Sequence, residues 1–155
     1  MHIARIALFV GTVTLGASAP GAISAQQLGT QKSLYDRVGG LKGISLVVDD
    51  FVDRLVVNEE LNKNPAIDAG RKRSPAPYLK FQVSQLVCQA TGGPCKYTGM
   101  AMKASHVHLN INEHEWEVMA MEFKKSLDKF KVPAAEQKEL FDIVGATKAD
   151  IVVRK

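Results

Sequence analysis

The sequence predicts an all-α fold. Apolar residues recur at helical spacing in several long stretches. No stretch sustains the apolar–polar alternation of a strand. Joints containing glycine and proline separate the periodic segments. At 155 residues, 46% hydrophobic and 23% charged, the chain is long and apolar enough to build one core without a metal or disulfide staple.

The N-terminus stands apart from the fold. Met1-His2-Ile3-Ala4-Arg5 is a short basic lead, and Ile6 to Ala17 is an apolar run too short to span a bilayer. Small residues follow at Ala17-Ser18-Ala19 and Ile23-Ser24-Ala25, the layout of a secretory signal peptide. Pro20 obstructs a cut after Ala19, which moves the expected cleavage to Ala25. The alternative is an uncleaved membrane anchor. The reading is therefore a signal peptide over 1–25, a flexible segment over 26–32 and a domain over 33–155. The mature protein is expected to be periplasmic or secreted, with no membrane association after cleavage.

Ser33 is placed to cap a short first helix, with Asp36 three residues on, and Gly39-Gly40 breaks it. Ile44, Val47, Val48, Phe51, Val52 and Leu55 then form one helix face. Residues 58–70 are polar and turn-rich and read as a loop. Pro75 and Pro77 precede a helix with Leu79, Val83, Leu86 and Ala90 along one side, which Gly92-Gly93-Pro94 ends. A loop over 96–99 leads into a short helix from Met100 to about His108. Asn112 can cap a long helix carrying Trp116, Met119, Phe123, Leu127 and Phe130. Pro133 divides it from a last helix, roughly Ala134 to Val153, with Leu140, Val144 and Ile151 facing inward.

The cysteines, Cys88 and Cys95, flank the glycine–proline turn. In an exported protein they are expected to form a disulfide closing a short loop, contributing about 2–3 kcal/mol. Two independent thiols are the alternative. The seven-residue spacing is not that of a redox-active thioredoxin-like pair.

Several function classes find no support. The net charge of +4 is mild and its cations are scattered apart from Arg71-Lys72-Arg73, so no nucleic-acid partner is expected. No serine sits in a glycine-flanked elbow, and no glycine-rich phosphate loop is present. Beyond the signal segment, the histidines are His106, His108 and His114. His106 and His108 are two apart and point to nearly opposite sides of a regular helix, which does not suit a shared zinc ion. A single histidine nevertheless suffices to hold haem iron.

Ser33-Leu34-Tyr35-Asp36-Arg37-Val38-Gly39-Gly40 resembles the opening of truncated haemoglobins, and Val47-Val48-Asp49-Asp50-Phe51 resembles their second helix. Thr91-Gly92-Gly93-Pro94-Cys95-Lys96-Tyr97-Thr98-Gly99 is similar to the loop after their distal helix. Met102-Lys103-Ala104-Ser105-His106 is similar to the proximal-histidine segment, and Ile111-Asn112-Glu113-His114-Glu115-Trp116 to the start of the next helix. The likeness runs from Ser33 to about Val152 and is nearest the group-one branch, including a variant with paired cysteines.

The resemblance implies a globin-like two-over-two helical sandwich around b-type haem, with His106 as the iron ligand and Met102 packed beneath the ring. It places Phe51, Val52, Leu79, Gln82, Val83 and Leu86 around the haem. Of the distal-helix candidates Leu79, Gln82 and Val83, Gln82 alone can form a side-chain hydrogen bond to a ligand. The chain departs from the family at Val52, where a tyrosine is frequent. It also departs over Leu61 to Asp68, which lacks the usual aromatic; Phe51 and Phe81 are candidates to compensate. Arg73 or Lys80 is a candidate partner for the haem propionates.

The implied function is reversible binding of oxygen, nitric oxide or carbon monoxide, with weaker oxygen retention than in tyrosine-bearing relatives. Nitric oxide dioxygenase or peroxidase activity is an alternative, and would need an external reductase. A cofactor-free helical interaction module is another.

Overall fold

A computed structural model describes residues 32–154. The expected signal peptide lies outside the described residues, as does the flexible segment up to residue 31.

Within them the elements follow in order. They are α1 (Leu34–Arg37), α2 (Gly40–Val57), α3 (Glu59–Asn62), α4 (Pro65–Arg73) and α5 (Ala76–Ala90). Then come α6 (Met102–His106), a 3-10 turn (Val107–Leu109), β1 (Ile111–Asn112), α7 (Glu113–Lys129), α8 (Ala134–Gly145), α9 (Lys148–Ile151) and β2 (Val152–Arg154). The all-α expectation holds, apart from the two very short strands.

Both predicted caps form. The Ser33 hydroxyl oxygen accepts from the Asp36 amide at 3.1 Å. Asn112 and Glu115 complete a reciprocal capping box at the start of α7, satisfying two of the helix's unpaired amides. Between α1 and α2 the chain turns through Gly39 and Gly40 at φ +88° and +65°, a left-handed pair that side chains disfavour.

The central helix is α2, with α5 packed on one side and α7 on another. Ile44, Val48 and Val52 form one buried cluster with Cys88 of α5. Val47 joins Leu34, Phe123, Leu127 and Leu140 in a second. Phe51 touches both, and stacks edge-on against Phe123, which does the same against Phe141. A polar seam flanks this apolar contact. Asp50 accepts from Arg54 at 2.6 Å, from Ser126 at 2.8 Å and from Lys129. Burial works to raise the Asp50 carboxyl, but these hydrogen bonds win and hold it at about 2.

The structure corrects the sequence reading in two places. Residues 58–70 are not a loop, because they include α3 and most of α4. Each of these helices starts at an asparagine cap: Asn58 accepts from Leu61 at 3.1 Å and Asn64 from Ala66 at 2.9 Å. Pro65 then occupies the first turn of α4, where its missing N–H costs nothing. The final helix also stops earlier than expected, at Gly145. The β-branched Val152 and Val153 lie in β2, which pairs in parallel with β1 and ties the chain's end to the start of α7.

Candidate functional site

The site is built from α6 and the helices around it. α6 has only five residues, and packs most closely on α9 and on the 3-10 turn that follows it. Ser105 folds its hydroxyl back onto the helix, donating toward the Ala101 and Met102 carbonyls at 3.1 and 3.0 Å. His106 is half-buried, and its Nδ1 lies 2.9 Å from both the Met102 carbonyl and the Ser105 hydroxyl oxygen.

That arrangement decides the tautomer. A carbonyl oxygen only accepts, so the proton sits on Nδ1 and is donated to Met102. Nε2 is left with its lone pair, the form in which imidazole binds a metal. Burial, above all, pushes the imidazole's pKa down; the bond to Met102 opposes this, and nearby His108 adds to the lowering. The neutral ring is the favoured one. His108 is exposed, and His114 is exposed with its Nε2 3.9 Å from Glu60, so neither shares the His106 position.

Met102 is itself half-buried, and serves the histidine through its backbone carbonyl. The 3-10 turn after His106 is fixed from the α3–α4 corner. Buried Asn64 donates from Nδ2 to the Leu109 carbonyl at 3.0 Å and to Glu115 Oε1 at 2.9 Å. Gly70 sits against the same segment, where a Cβ would fall 2.6 Å from Leu109. Asn64 and Ser105 were not singled out from the sequence. The Asn64-Pro65 pair, a cap followed by an N1 proline, was the available signal.

On the other side, α5 presents Leu79 and Val83 to the cluster around Val52, which is 3% exposed. Phe51, Val52, Leu79 and Val83 therefore come together as one apolar wall. Leu86 and Gln82 are half-buried on the same helix. The Oε1 of Gln82 is buried with no hydrogen-bond partner, and no other side-chain nitrogen or oxygen of the described residues stands so. Among the described residues, no hydrogen bond joins His106 to α5; its Nδ1 partners are on α6.

The segment from α5 to α6 is held tightly. Cys88 and Cys95 are disulfide-bonded, as expected, and Cys88 is fully buried. Gly93 lies against the bridge, where a Cβ would come within 2.7 Å of the Cys88 sulfur. Gln89 accepts from the Tyr97 amide at 2.7 Å, and the Tyr97 hydroxyl donates to the Met100 carbonyl at 2.8 Å. Lys80, a candidate propionate partner, is already paired with Asp49 and Asp53 at 2.7 and 2.8 Å.

The residues present fit a haem. His106 offers one neutral imidazole nitrogen, and the wall on α2 and α5 is apolar. Among the described residues no three His, Cys, Asp or Glu side chains are grouped to hold an ion.

The family described as bacterial-like globin matches residues 33–153. A group 1 truncated hemoglobin, GlbN, of Mycolicibacterium paratuberculosis is 28% identical over 119 residues, covering 77% of this chain and 83% of that protein. GlbN of Synechocystis is 25% identical over 118 residues, covering 74% of this chain and 90% of its own. The structure of a truncated hemoglobin from Tetrahymena pyriformis in its Fe(III) form superposes with a TM-score of 0.68 at 18% identity, over 78% of this chain and 98% of that one. The 2/2 hemoglobin of Synechococcus sp. PCC 7002, solved with covalently attached heme, matches with the same score and coverage at 21% identity. These two likenesses establish the fold as the two-over-two helical sandwich.

Proposed function

The chain belongs to the bacterial-like globin family, and from that premise we propose that it holds a b-type haem on the Nε2 of His106 and reversibly binds a diatomic gas. The locked imidazole carries this reading. With Nδ1 committed to the Met102 carbonyl at 2.9 Å, the ring has one lone pair to give and a fixed direction in which to give it. A haem iron held by a single imidazole supplies an open coordination position for oxygen, nitric oxide or carbon monoxide.

The chain's own residues set how that position is used. The Met102 carbonyl makes the His106 ring a better electron donor and fixes its rotation. Leu79, Val83 and Val52, packed into one apolar cluster, would give the gas a water-poor surrounding. Val52 has no hydrogen to donate, so Gln82 would be the residue to supply a polar contact to a gas held there. The donor would be the Gln82 Nε2–H group; its Oε1, buried without a partner among the described residues, is an acceptor that calls for a separate donor such as a water. With one amide in place of a tyrosine hydroxyl, oxygen is retained more weakly than in tyrosine-bearing relatives, and carbon monoxide is less affected. Oxygen binding requires reduced iron, so electrons must reach the site from outside the chain. The Cys88–Cys95 bond supports export, since disulfides persist in oxidising compartments.

The test is a haem titration of the mature domain, followed by reduced absorption spectra with and without carbon monoxide, on wild type and His106→Ala. The expected result is an intense Soret band that shifts with carbon monoxide in the wild type and is lost or altered in the variant. A folded protein that shows no haem band with haem supplied would sink the reading, and would favour the cofactor-free interaction module.

A further inference from the structure

Charge is distributed very unevenly about the site. Residues 69–112 include six lysines and arginines and no aspartate or glutamate. All sixteen acidic residues lie outside that stretch. It comprises most of α4, all of α5, the loop over 91–101, α6 and the 3-10 turn, the elements that frame His106 and Gln82.

Not every cation there is free. Lys80 is neutralised by Asp49 and Asp53, and Lys72 by Asp68 at 3.0 Å. Among the described residues, the other four have no carboxylate within ion-pairing distance. Arg71 donates only to uncharged groups, the Leu55 carbonyl at 2.6 Å and Asn62. Arg73, Lys96 and Lys103 are exposed. The two propionates of a haem would cancel two of these charges, and a positive surplus would remain.

The same surface is apolar in places. Tyr78, Phe81 and Met100 are 49%, 56% and 58% exposed. Tyr97 ties the loop to α5 through its amide, which donates to Gln89, and its hydroxyl is bonded to the Met100 carbonyl. Tyr97 and Met100 are therefore neighbours on the loop that follows α5, and on α5 itself Phe81 follows Tyr78 by one helical turn. Exposed aromatic and methionine side chains, with the exposed Lys96 and Lys103 close to Tyr97 and Met100 in the chain, have the composition of a protein interface, apolar at its centre and polar at its rim.

We propose that this acid-free face, centred on Tyr78, Phe81 and Met100 and rimmed by Lys96 and Lys103, docks an acidic one-electron carrier protein that reduces the site. The inference rests on the proposed haem function. The carrier loses one electron and the ferric iron gains it to become ferrous, with no bond made or broken. Opposite charge steers such encounters and raises their rate by about 10–10³-fold at low salt. Small interfaces suit electron carriers, which must leave after each transfer. A membrane surface fits less well, because lipid recognition wants a dense basic cluster. In the single contiguous triplet, Lys72 is paired and Arg71 is turned inward.

The probe is a reduced acidic flavodoxin, with Lys96→Glu/Lys103→Glu as the variant. Lys124→Glu/Lys138→Glu, on α7 and α8, makes the same change in net charge elsewhere. Binding is read by NMR shift perturbation on the full mature chain with and without haem, and reduction by stopped-flow absorbance of the ferric protein. At low ionic strength the Lys96/Lys103 variant should bind and accept electrons at least tenfold more weakly, while the α7–α8 variant stays near wild type. Salt should slow the wild type far more than the variant. Equal losses in both variants, no loss in either, or binding to phosphatidylglycerol vesicles but not to flavodoxin would overturn the proposal. Absence of haem uptake would count against the haem reading alone, because flavodoxin binding is also measured on the haem-free chain.

Discussion

Replacing Asn64 with alanine removes three hydrogen bonds at one buried point. Asn64 is 6% exposed; its Oδ1 caps α4, and its Nδ2 serves both the Leu109 carbonyl and Glu115. Loss of the cap costs about 1 kcal/mol. The bond to a charged carboxylate contributes about 1.5–3 kcal/mol and the bond to the carbonyl about 1 kcal/mol. Because Glu115 keeps its capping-box bond to the Asn112 amide, the expected total is at the lower end, about 3.5 kcal/mol. Urea unfolding followed by Trp116, the sole tryptophan and a buried neighbour of Glu115, reports the change directly. With a slope of about 1.5 kcal/mol per molar, the midpoint should fall by about 2 M. Asn64→Asp is the sharper companion. It retains the cap acceptor but turns a second carboxylate toward Glu115, so it should be at least as unstable as alanine at neutral pH and recover in mild acid. A fall below about 1 kcal/mol for alanine, or a tolerated aspartate, would refute the clamp.

Three further outcomes are expected. Cys88→Ser/Cys95→Ser should cost about 2–3 kcal/mol in the same unfolding assay, from the freed loop of seven-residue separation and a hydroxyl placed at the fully buried Cys88. Asp50 is held at about 2 against an ordinary 3.8, so its stabilisation is complete above about pH 4 and is lost as pH falls toward 2. Asp50→Asn should be less stable at neutral pH, and its acid-unfolding profile should be flatter between those limits. Gln82→Leu should speed oxygen release about tenfold, the equivalent of one hydrogen bond, and leave carbon monoxide release nearly unchanged in flash photolysis.

What the sequence made legible was periodicity and capping. The apolar face of α2 and the Asn112 cap of α7 are local signals, and their packing requires nothing else. The α3–α4 corner was not legible as helix. Its residues are polar, and asparagine and proline mark turns as readily as helix starts, so its order depends on Asn64 reaching Leu109 and Glu115 far along the chain. β2 was missed for a related reason, since Val152 and Val153 extend a helical pattern until β1 supplies a partner. In the site, His106 was singled out by its segment's resemblance to the proximal-histidine motif. Its tautomer was not readable, because that rests on a 2.9 Å contact with the Met102 backbone. Nor was the unsatisfied Gln82 oxygen, which depends on the side chains packed around it.

The central claim is that Nε2 of His106 holds a haem iron, and the direct measurement is resonance Raman of the reduced protein in His106→Gly, with and without added imidazole. Wild type should show an iron–histidine stretching band that disappears in the glycine variant. Imidazole diffusing into the space left by the side chain should restore it, together with carbon monoxide binding. An unchanged iron–histidine band in His106→Gly without imidazole would show that another side chain holds the metal, and would contradict the account.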